Sequence, residues 1–375
     1  MSKVYKVAII GAGMIANAGH IPAYKNLGKE VEIVAIADNR EIAAQETAKR
    51  HSIPKIYTDG IKMVNEIKPD IVSICTPNAY HKEQTIESLR SGAHVICEKP
   101  ISLKYKDALE MFDEAKKAKK NLFACQPLRF FNEFMTSRDI VSSGTLGEIY
   151  YADVSLIRRR GIPKWGMFHM KEHSIGGAFC DLGVHITDYL VWITGNPKIK
   201  AVSGSTITKI ANSGEDVITS VAESGAPSGL FTPRQYDPRE FNVEEFASGS
   251  MRFEGGFSVN FKLSWAINLP SVSSGGISLA GTQGGIVINP PSVKIVKNMG
   301  GHQVDIEPKI IDNSGYSKYE FYGHRHLFDH ILKVLKGEEQ SIIKVEEVLN
   351  VAATIEAFYK SSELKHEVTF DDIVK

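Results

Sequence analysis

Apolar residues in the first third of the chain fall into short runs separated by longer stretches of helical period. KVAII at 6–10, EIVAIA at 32–37, DIVSI at 70–74, HVIC at 94–97 and NLFAC at 121–125 read as buried strands. Helical patterns fill the intervals at 41–50, 81–91 and 104–120. The segment between the first two strands is also helical in character, although Pro22 must perturb or end it. Strict alternation of this kind predicts right-handed βαβ units on a parallel sheet. From about Gln126 the pattern changes. Strands follow one another at 148–159, 198–208, 244–254, 256–266, 276–281 and 285–289, with a helix at 174–194 and two more at 318–336 and 344–362. The expected architecture is α/β, with a parallel-sheet domain at 1–125 and an α+β domain at 126–375. The strand runs of the second domain suit an antiparallel or mixed sheet, with its C-terminal helix free to pack back on the first domain. Residues 211–242, rich in Gly, Ser and Pro, are expected to form a long surface connection near a subunit or substrate edge.

The first strand runs into Gly11-Ala12-Gly13-Met14-Ile15-Ala16, a GxGxxA form of the dinucleotide fingerprint. Gly11 permits the tight turn, and Gly13 lets backbone approach a pyrophosphate at a helix N-terminus. Asp38 ends the next strand, where a carboxylate accepts hydrogen bonds from ribose hydroxyls and repels a 2′-phosphate. The cofactor expected is therefore NAD, with NADP the alternative because Arg40 stands close enough to embrace a phosphate. Two further strand ends, Thr76-Pro77-Asn78-Ala79-Tyr80-His81 and Glu98-Lys99-Pro100, face the same crevice. Lys99 occupies the position where a nicotinamide would lie.

One apolar helix carries unexpected chemistry. Within DLGVHITD, Asp181, His185 and Asp188 are spaced by four and three residues and share a helix face. Buried titratable groups need partners, so an internal hydrogen-bond network is the plain alternative to a functional site.

At 375 residues, two domains are the default. Lys plus Arg balance Asp plus Glu at 44 each, which gives no reason to expect a nucleic acid or an acidic membrane as partner. No apolar run approaches a membrane span, and the N-terminus enters a strand without a leader-like stretch. Cys75, Cys97, Cys125 and Cys180 are scattered through apolar segments, as reduced core thiols would be, and no metal site is expected. A cytoplasmic protein follows.

The motifs GAGMIA with Asp38, TPNAYH, CEKPIS, LRFFNE, PKWG and GGAFCDLGVHITDYLVW, in this order, resemble the Gfo/Idh/MocA oxidoreductases, the family of glucose–fructose oxidoreductase and inositol dehydrogenase. VEEFASGSMRFEGGFSVNFKLSWA and HRHLFDHI look like that family's later segments. The resemblance implies an N-terminal Rossmann dinucleotide-binding domain at 1–125 and, at 126–375, an α+β domain with a large, mostly antiparallel open sheet. It implies hydride transfer between nicotinamide and a secondary alcohol of a sugar, sugar derivative or inositol. It also implies a homodimer or homotetramer, for which a broad, uncovered apolar sheet face is the physical argument. Lys99 matches the family's active-site lysine, and Asp181 with His185 its Asp-x-x-x-His pair. His185 is then the proton acceptor in oxidation, Lys99 the electrophile at the reacting oxygen, and Asp181 the residue that orients His185 or binds substrate, while Asp188 is structural. Thr76, Pro77, Asn78, His81, Glu98 and Trp165 join Gly11, Gly13, Met14, Ile15, Asp38 and Arg40 along the cofactor, and Arg129 is expected at the substrate. Pro127 and Leu128 depart from the polar residues of many relatives. Two other activities occur on this fold: glycoside cleavage through transient oxidation, and non-catalytic dinucleotide sensing.

Overall fold

A computed structural model describes residues 3–213, 228–269, 275–312 and 314–374. Six parallel strands form the first sheet: β1 (Tyr5–Ile10), β2 (Val31–Ala37), β3 (Lys55–Tyr57), β4 (Ile71–Ile74), β5 (His94–Cys97) and β6 (Leu122–Ala124). Their order is β3-β2-β1-β4-β5-β6. The order reverses between β1 and β4, so the carboxyl ends of those strands open a crevice at the switch point. β1 is almost wholly buried because helices cover both faces, which is why its sequence is a continuous apolar run.

The second sheet has nine strands: β7 (Ile149–Ile157), β8 (Ile199–Ile207), β9 (Phe246–Phe253), β10 (Ser258–Ser264), β11 (Gly276–Gly281), β12 (Gly284–Asn289), β13 (Ser292–Met299), β14 (His302–Ile306) and β15 (Val368–Thr369). The order is β14-β13-β12-β11-β7-β10-β9-β8-β15, antiparallel except for the parallel β7–β10 pair. The β13–β14 hairpin, which turns at Gly300 and Gly301 with positive φ, was not among the expected strands. The edge strand β15 was missed as well, because two residues give no period to read.

The helices Val184–Ile193 and Val345–Leu364 pack on one face of this sheet, burying Tyr189, Leu190, Ile355 and Phe358 with Val202, Met251 and Phe261. Alternate positions on the other face are Asp153 and Tyr151 on β7, Asn260 and Lys262 on β10, and Ser250 and Arg252 on β9, all partly or fully exposed. The outward face is thus chiefly polar. This corrects the expectation of an apolar patch, and the physical argument for self-association through it falls away.

Two helices contain a widened π turn. One, Ala16–His20, follows the fingerprint and gives way to an α-helix at Ile21–Asn26, so Pro22 perturbs the helix, one of the two expected outcomes, without ending it. The other, Phe179–Gly183, leads into Val184–Ile193 and breaks the uniform α-helix expected over 174–194. Such turns recur at functional positions in helices. The helix Tyr322–Lys336 crosses back to the first sheet, and Leu327, Phe328, Ile331 and Leu332 enter its core.

Candidate active site

A cavity of about 1070 Å³ runs from the fingerprint turn, across the carboxyl ends of β1, β4 and β5, to the π turn at Phe179–Gly183. At its first end the backbone geometry is set by Gly11. Its φ is +97°, and a Cβ there would stand 2.6 Å from the Cys75 carbonyl oxygen. A side chain would also meet nothing within 4 Å at Gly13, so the space in front of the turn is open. The Asp38 carboxylate accepts from the Ala12 and Arg40 backbone N–H groups at 2.8 and 2.9 Å. Those bonds fix its orientation at the cavity edge and leave lone pairs for a diol. The Arg40 guanidinium donates to the Thr232 carbonyl at 2.9 Å. Residues 229–234 thereby join the cavity wall, and the Arg50 guanidinium stacks 3.8 Å above the Phe231 ring. The expected long connection therefore borders the cofactor crevice over these positions; its residues 214–227 lie outside the described ones.

Gly11, Gly13, Met14, Ile15, Asp38, Arg40, Thr76, Pro77, Asn78, Glu98, Lys99, Trp165, Asp181 and His185 all line this cavity, as do Pro127 and Leu128. At its far end Lys99 Nζ donates to Asp181 Oδ1 at 3.0 Å and to the Asp181 carbonyl at 3.1 Å. Asp181 Oδ2 accepts from Trp265 Nε1 at 3.1 Å. Asp181 therefore aims Lys99 rather than His185. The reason is the π turn, whose i→i+5 geometry departs from the 3.6-residue face assumed from sequence.

His185 Nδ1 has no hydrogen-bond partner, although little solvent reaches it. Trp165 Nε1, in the same wall, is also unpartnered. Orphaned buried donors or acceptors are costly, and here they face a cavity where a polar ligand can satisfy them. Burial pulls the His185 pKa down to about 3, with the Lys99 ammonium adding to the shift and Asp181 and Glu98 opposing it. Burial also works against the Lys99 ammonium, but Asp181 and Glu98 outweigh it and hold that pKa above the ordinary lysine value. Asp181 is the converse case: desolvation favours its neutral acid, and Lys99 overcomes this, leaving the carboxyl below its usual range. The site at neutral pH is an ammonium–carboxylate pair beside an uncharged imidazole.

Two expected site residues stand outside the cavity. Arg129 is fully buried, with Nε and Nη2 donating to Asp188 at 2.8 and 2.6 Å and Nη1 donating to Glu347 and to the Ile342 carbonyl. Two carboxylates engage its guanidinium, so within the second domain it ties the Val184–Ile193 helix to the Val345–Leu364 helix instead of facing the cavity. Asp188 is structural for the same reason. His81 is also buried, its ring nitrogens 2.8 and 2.9 Å from the Pro100 and Thr76 carbonyls. It clamps the two strand-end loops together and does not face the cavity. Asn78 ties the loop after β4 to the π turn through the Ser174 carbonyl at 2.7 Å and Cys180 Sγ at 3.2 Å.

Trp265 and Arg158 were missed as site residues. Trp265 lies just past β10, in a sequence that reads as ordinary strand, and nothing local signals that its indole reaches Asp181. Arg158 lines the cavity and helps hold Asp181 ionised. In the sequence it was one of three successive arginines with no marked partner.

Comparison with known proteins bears on both halves of the chain. The family model for the oxidoreductase family with an NAD-binding Rossmann fold (GFO_IDH_MocA) matches residues 5–125, and the model for its C-terminal alpha/beta domain matches residues 138–370. The D-glucoside 3-dehydrogenase of Escherichia coli is 30% identical over 364 residues, covering 96% of each chain. An oxidoreductase domain protein from Kribbella flavida superposes with a TM-score of 0.80 at 19% identity, covering 99% of this chain and 100% of that one. An Agrobacterium radiobacter oxidoreductase, solved with NAD+, L-tartaric acid and magnesium, gives 0.75 at 18% identity over 98% of each. No helix among the described residues is long and apolar enough to cross a membrane. With both of its domains matched in order and a full-length relative of this similarity, the chain belongs to the Gfo/Idh/MocA family of oxidoreductases.

Proposed function

We propose that this protein is a cytoplasmic NAD-dependent dehydrogenase that oxidises a secondary hydroxyl of a sugar, sugar derivative or inositol. The observation that carries the reading is the convergence of Lys99, Asp181 and the unpartnered His185 at the end of a cavity that begins at the dinucleotide fingerprint. The name of the 30%-identical relative, a D-glucoside dehydrogenase, supports a glycoside or related ring alcohol as substrate. Gly11, the open space before Gly13, and Asp38 suit a dinucleotide. Asp38 favours NAD, and Arg40 is already engaged by Thr232 rather than free for a 2′-phosphate.

When bound, the dinucleotide supplies the hydride acceptor. The chain's own residues handle the proton and the charge. Lys99 donates to the substrate oxygen and stabilises the negative charge that develops there. Asp181 and Trp265 keep that ammonium in place. His185 takes the hydroxyl proton. Its low pKa keeps it in the accepting form throughout the physiological range, at the cost of intrinsic basicity. Assembly as a homodimer or homotetramer belongs to this reading and rests on the family alone.

The test is a screen of glycosides, inositols and aldoses with NAD and NADP, following absorbance of the reduced cofactor, and then stopped-flow hydride transfer. His185→Ala is expected to slow the chemical step by about 10²–10⁴, and Lys99→Ala by a factor of about 10²–10³, with cofactor affinity changed far less. Near-normal hydride transfer in both variants would defeat the proposal.

A further inference from the structure

At the inner wall of the cavity, where Glu98 and His324 border it, four side chains from distant parts of the sequence converge. His20 ends the π turn after β1, Glu98 follows β5, Cys125 follows β6, and His324 lies in the first turn of the helix Tyr322–Lys336. All four are buried, and one donor atom from each lies within 4.8 Å of the other three. We infer that His20, Glu98, Cys125 and His324 form a structural zinc(II) site that fastens the carboxyl-terminal edge of the first sheet to a helix of the second domain.

Two imidazole nitrogens, a carboxylate oxygen and a sulfur are a ligand set suited to tetrahedral zinc. Zinc–ligand bonds of about 2.0–2.3 Å at tetrahedral angles place ligand atoms roughly 3.3–3.6 Å apart. Here His324 Nε2 is 3.5 Å from Glu98 Oε1, Cys125 Sγ is 3.9 Å from His20 Nε2, and His20 Nε2 is 2.9 Å from Glu98 Oε1. Small side-chain adjustments close the set on an ion. The supporting contacts are also those of a metal site. His20 Nδ1 lies 3.0 Å from Ser73 Oγ, itself 2.7 Å from the Tyr24 hydroxyl, which fixes the ring with Nε2 inward. Glu98 Oε2 accepts the Lys99 backbone N–H at 3.1 Å, leaving Oε1 for the ion.

A hydrogen-bonded His20–Glu98 pair is the simpler alternative, and it explains the 2.9 Å contact. It does not explain His324, which is 4% exposed and has no hydrogen bond to either ring nitrogen. An ion would give Nε2 its partner. Binding requires Cys125 to lose its thiol proton to solvent. The thiolate and the Glu98 carboxylate then balance the 2+ charge, so a neutral cluster is buried. Four protein ligands leave no open position, which makes the role structural. Positions 20, 98, 125 and 324 have no local ligand spacing, so the expectation of no metal was natural from sequence.

The test uses the full chain and does not depend on activity. Purified protein is assayed for zinc by mass spectrometry, stripped by dialysis against a chelator, and titrated with Co²⁺. Expected are about one zinc per chain and, with cobalt, visible tetrahedral bands plus a near-ultraviolet thiolate-to-metal charge-transfer band. Cys125→Ser should abolish the charge-transfer band, and His324→Ala should weaken metal binding by at least about 10-fold, with circular dichroism confirming that both variants fold. If either variant does not fold, the cobalt spectrum of the unaltered protein decides alone. Zinc below about a tenth of an equivalent with no thiolate band, or metal binding unchanged in both folded variants, overturns the site.

Discussion

The pH dependence of oxidation gives the sharpest check on His185. An imidazole at the ordinary value of about 6.5 is neutral in roughly three-quarters of molecules at pH 7 but in only about 3% at pH 5. As general base it would cost kcat/KM about 24-fold between those two conditions. The structure instead sets His185 at about 3, through burial first and the Lys99 charge second. At that value about 99% of the rings are still neutral at pH 5, and kcat/KM should be flat from pH 8 down to 5. The assay is initial-rate kcat/KM across that range at saturating cofactor, with samples held at each pH and returned to pH 7 to verify that activity is intact. That control matters because of the sign of the linkage. The unfolded chain's imidazole binds a proton below about 6.5 while the folded one stays neutral, so this contribution to stability is complete above about 6.5 and erodes as pH falls toward 3. A reversible one-proton decline centred near pH 6.5 would refute the argument that the cavity keeps His185 uncharged.

Three other outcomes follow from the geometry. Arg129→Met leaves the Asp188 and Glu347 carboxylates buried without their cation, and should cost about 3–5 kcal/mol and lower Tm by roughly 4–6 °C with KM unchanged; a raised KM at constant Tm would return Arg129 to the substrate. NAD should exceed NADP in kcat/KM by at least about tenfold, roughly 1.4 kcal/mol, and Asp38→Ala should narrow the gap by admitting NADP; equal use of both cofactors by the unaltered protein contradicts this. Light scattering at micromolar concentration should show a homodimer or tetramer, and a clean monomer rejects that part of the proposal.

Five of the six strands of the first sheet were legible because buried parallel strands are apolar along nearly their whole length, as 7–10 and 95–97 are, and helices separate them; the edge strand β3, three residues that are mostly exposed, was missed. The fingerprint was legible because Gly11 has a local steric duty: its positive φ and the nearby Cys75 carbonyl exclude any side chain. That Lys99, Asp181 and His185 share one end of the cavity was legible, but the partner that Asp181 takes there was not. The π turn changes which neighbour Asp181 meets, and hydrophobic periodicity carries no sign of an inserted residue. Arg129 and His81 were misplaced for a different reason. Polar groups near a strand end read alike whether they face a cavity or two buried carboxylates, and the partners, Asp188 and Glu347 for one and the Pro100 carbonyl for the other, lie 19 to 218 residues away. The His20–Glu98–Cys125–His324 cluster is the extreme case, assembled wholly by tertiary folding.

The return of the helix Tyr322–Lys336 to the first sheet has a consequence for how the chain folds. Leu327, Phe328, Ile331 and Leu332, with Ile343, Val348 and Ala352, are part of the same core as Val7, Ile9 and Val95. During synthesis the strands β1 to β6 emerge first, yet one side of their core stays uncovered until more than two hundred further residues have been made. β7 waits as well, because its partners β10 and β11 begin at Ser258 and Gly276. Such long-range pairing is slow and exposes apolar surface while it is incomplete. A fragment ending at residue 125 should therefore associate or collapse loosely rather than fold as an independent nucleotide-binding unit, and the nascent protein should depend on holding chaperones until its last fifty residues are available.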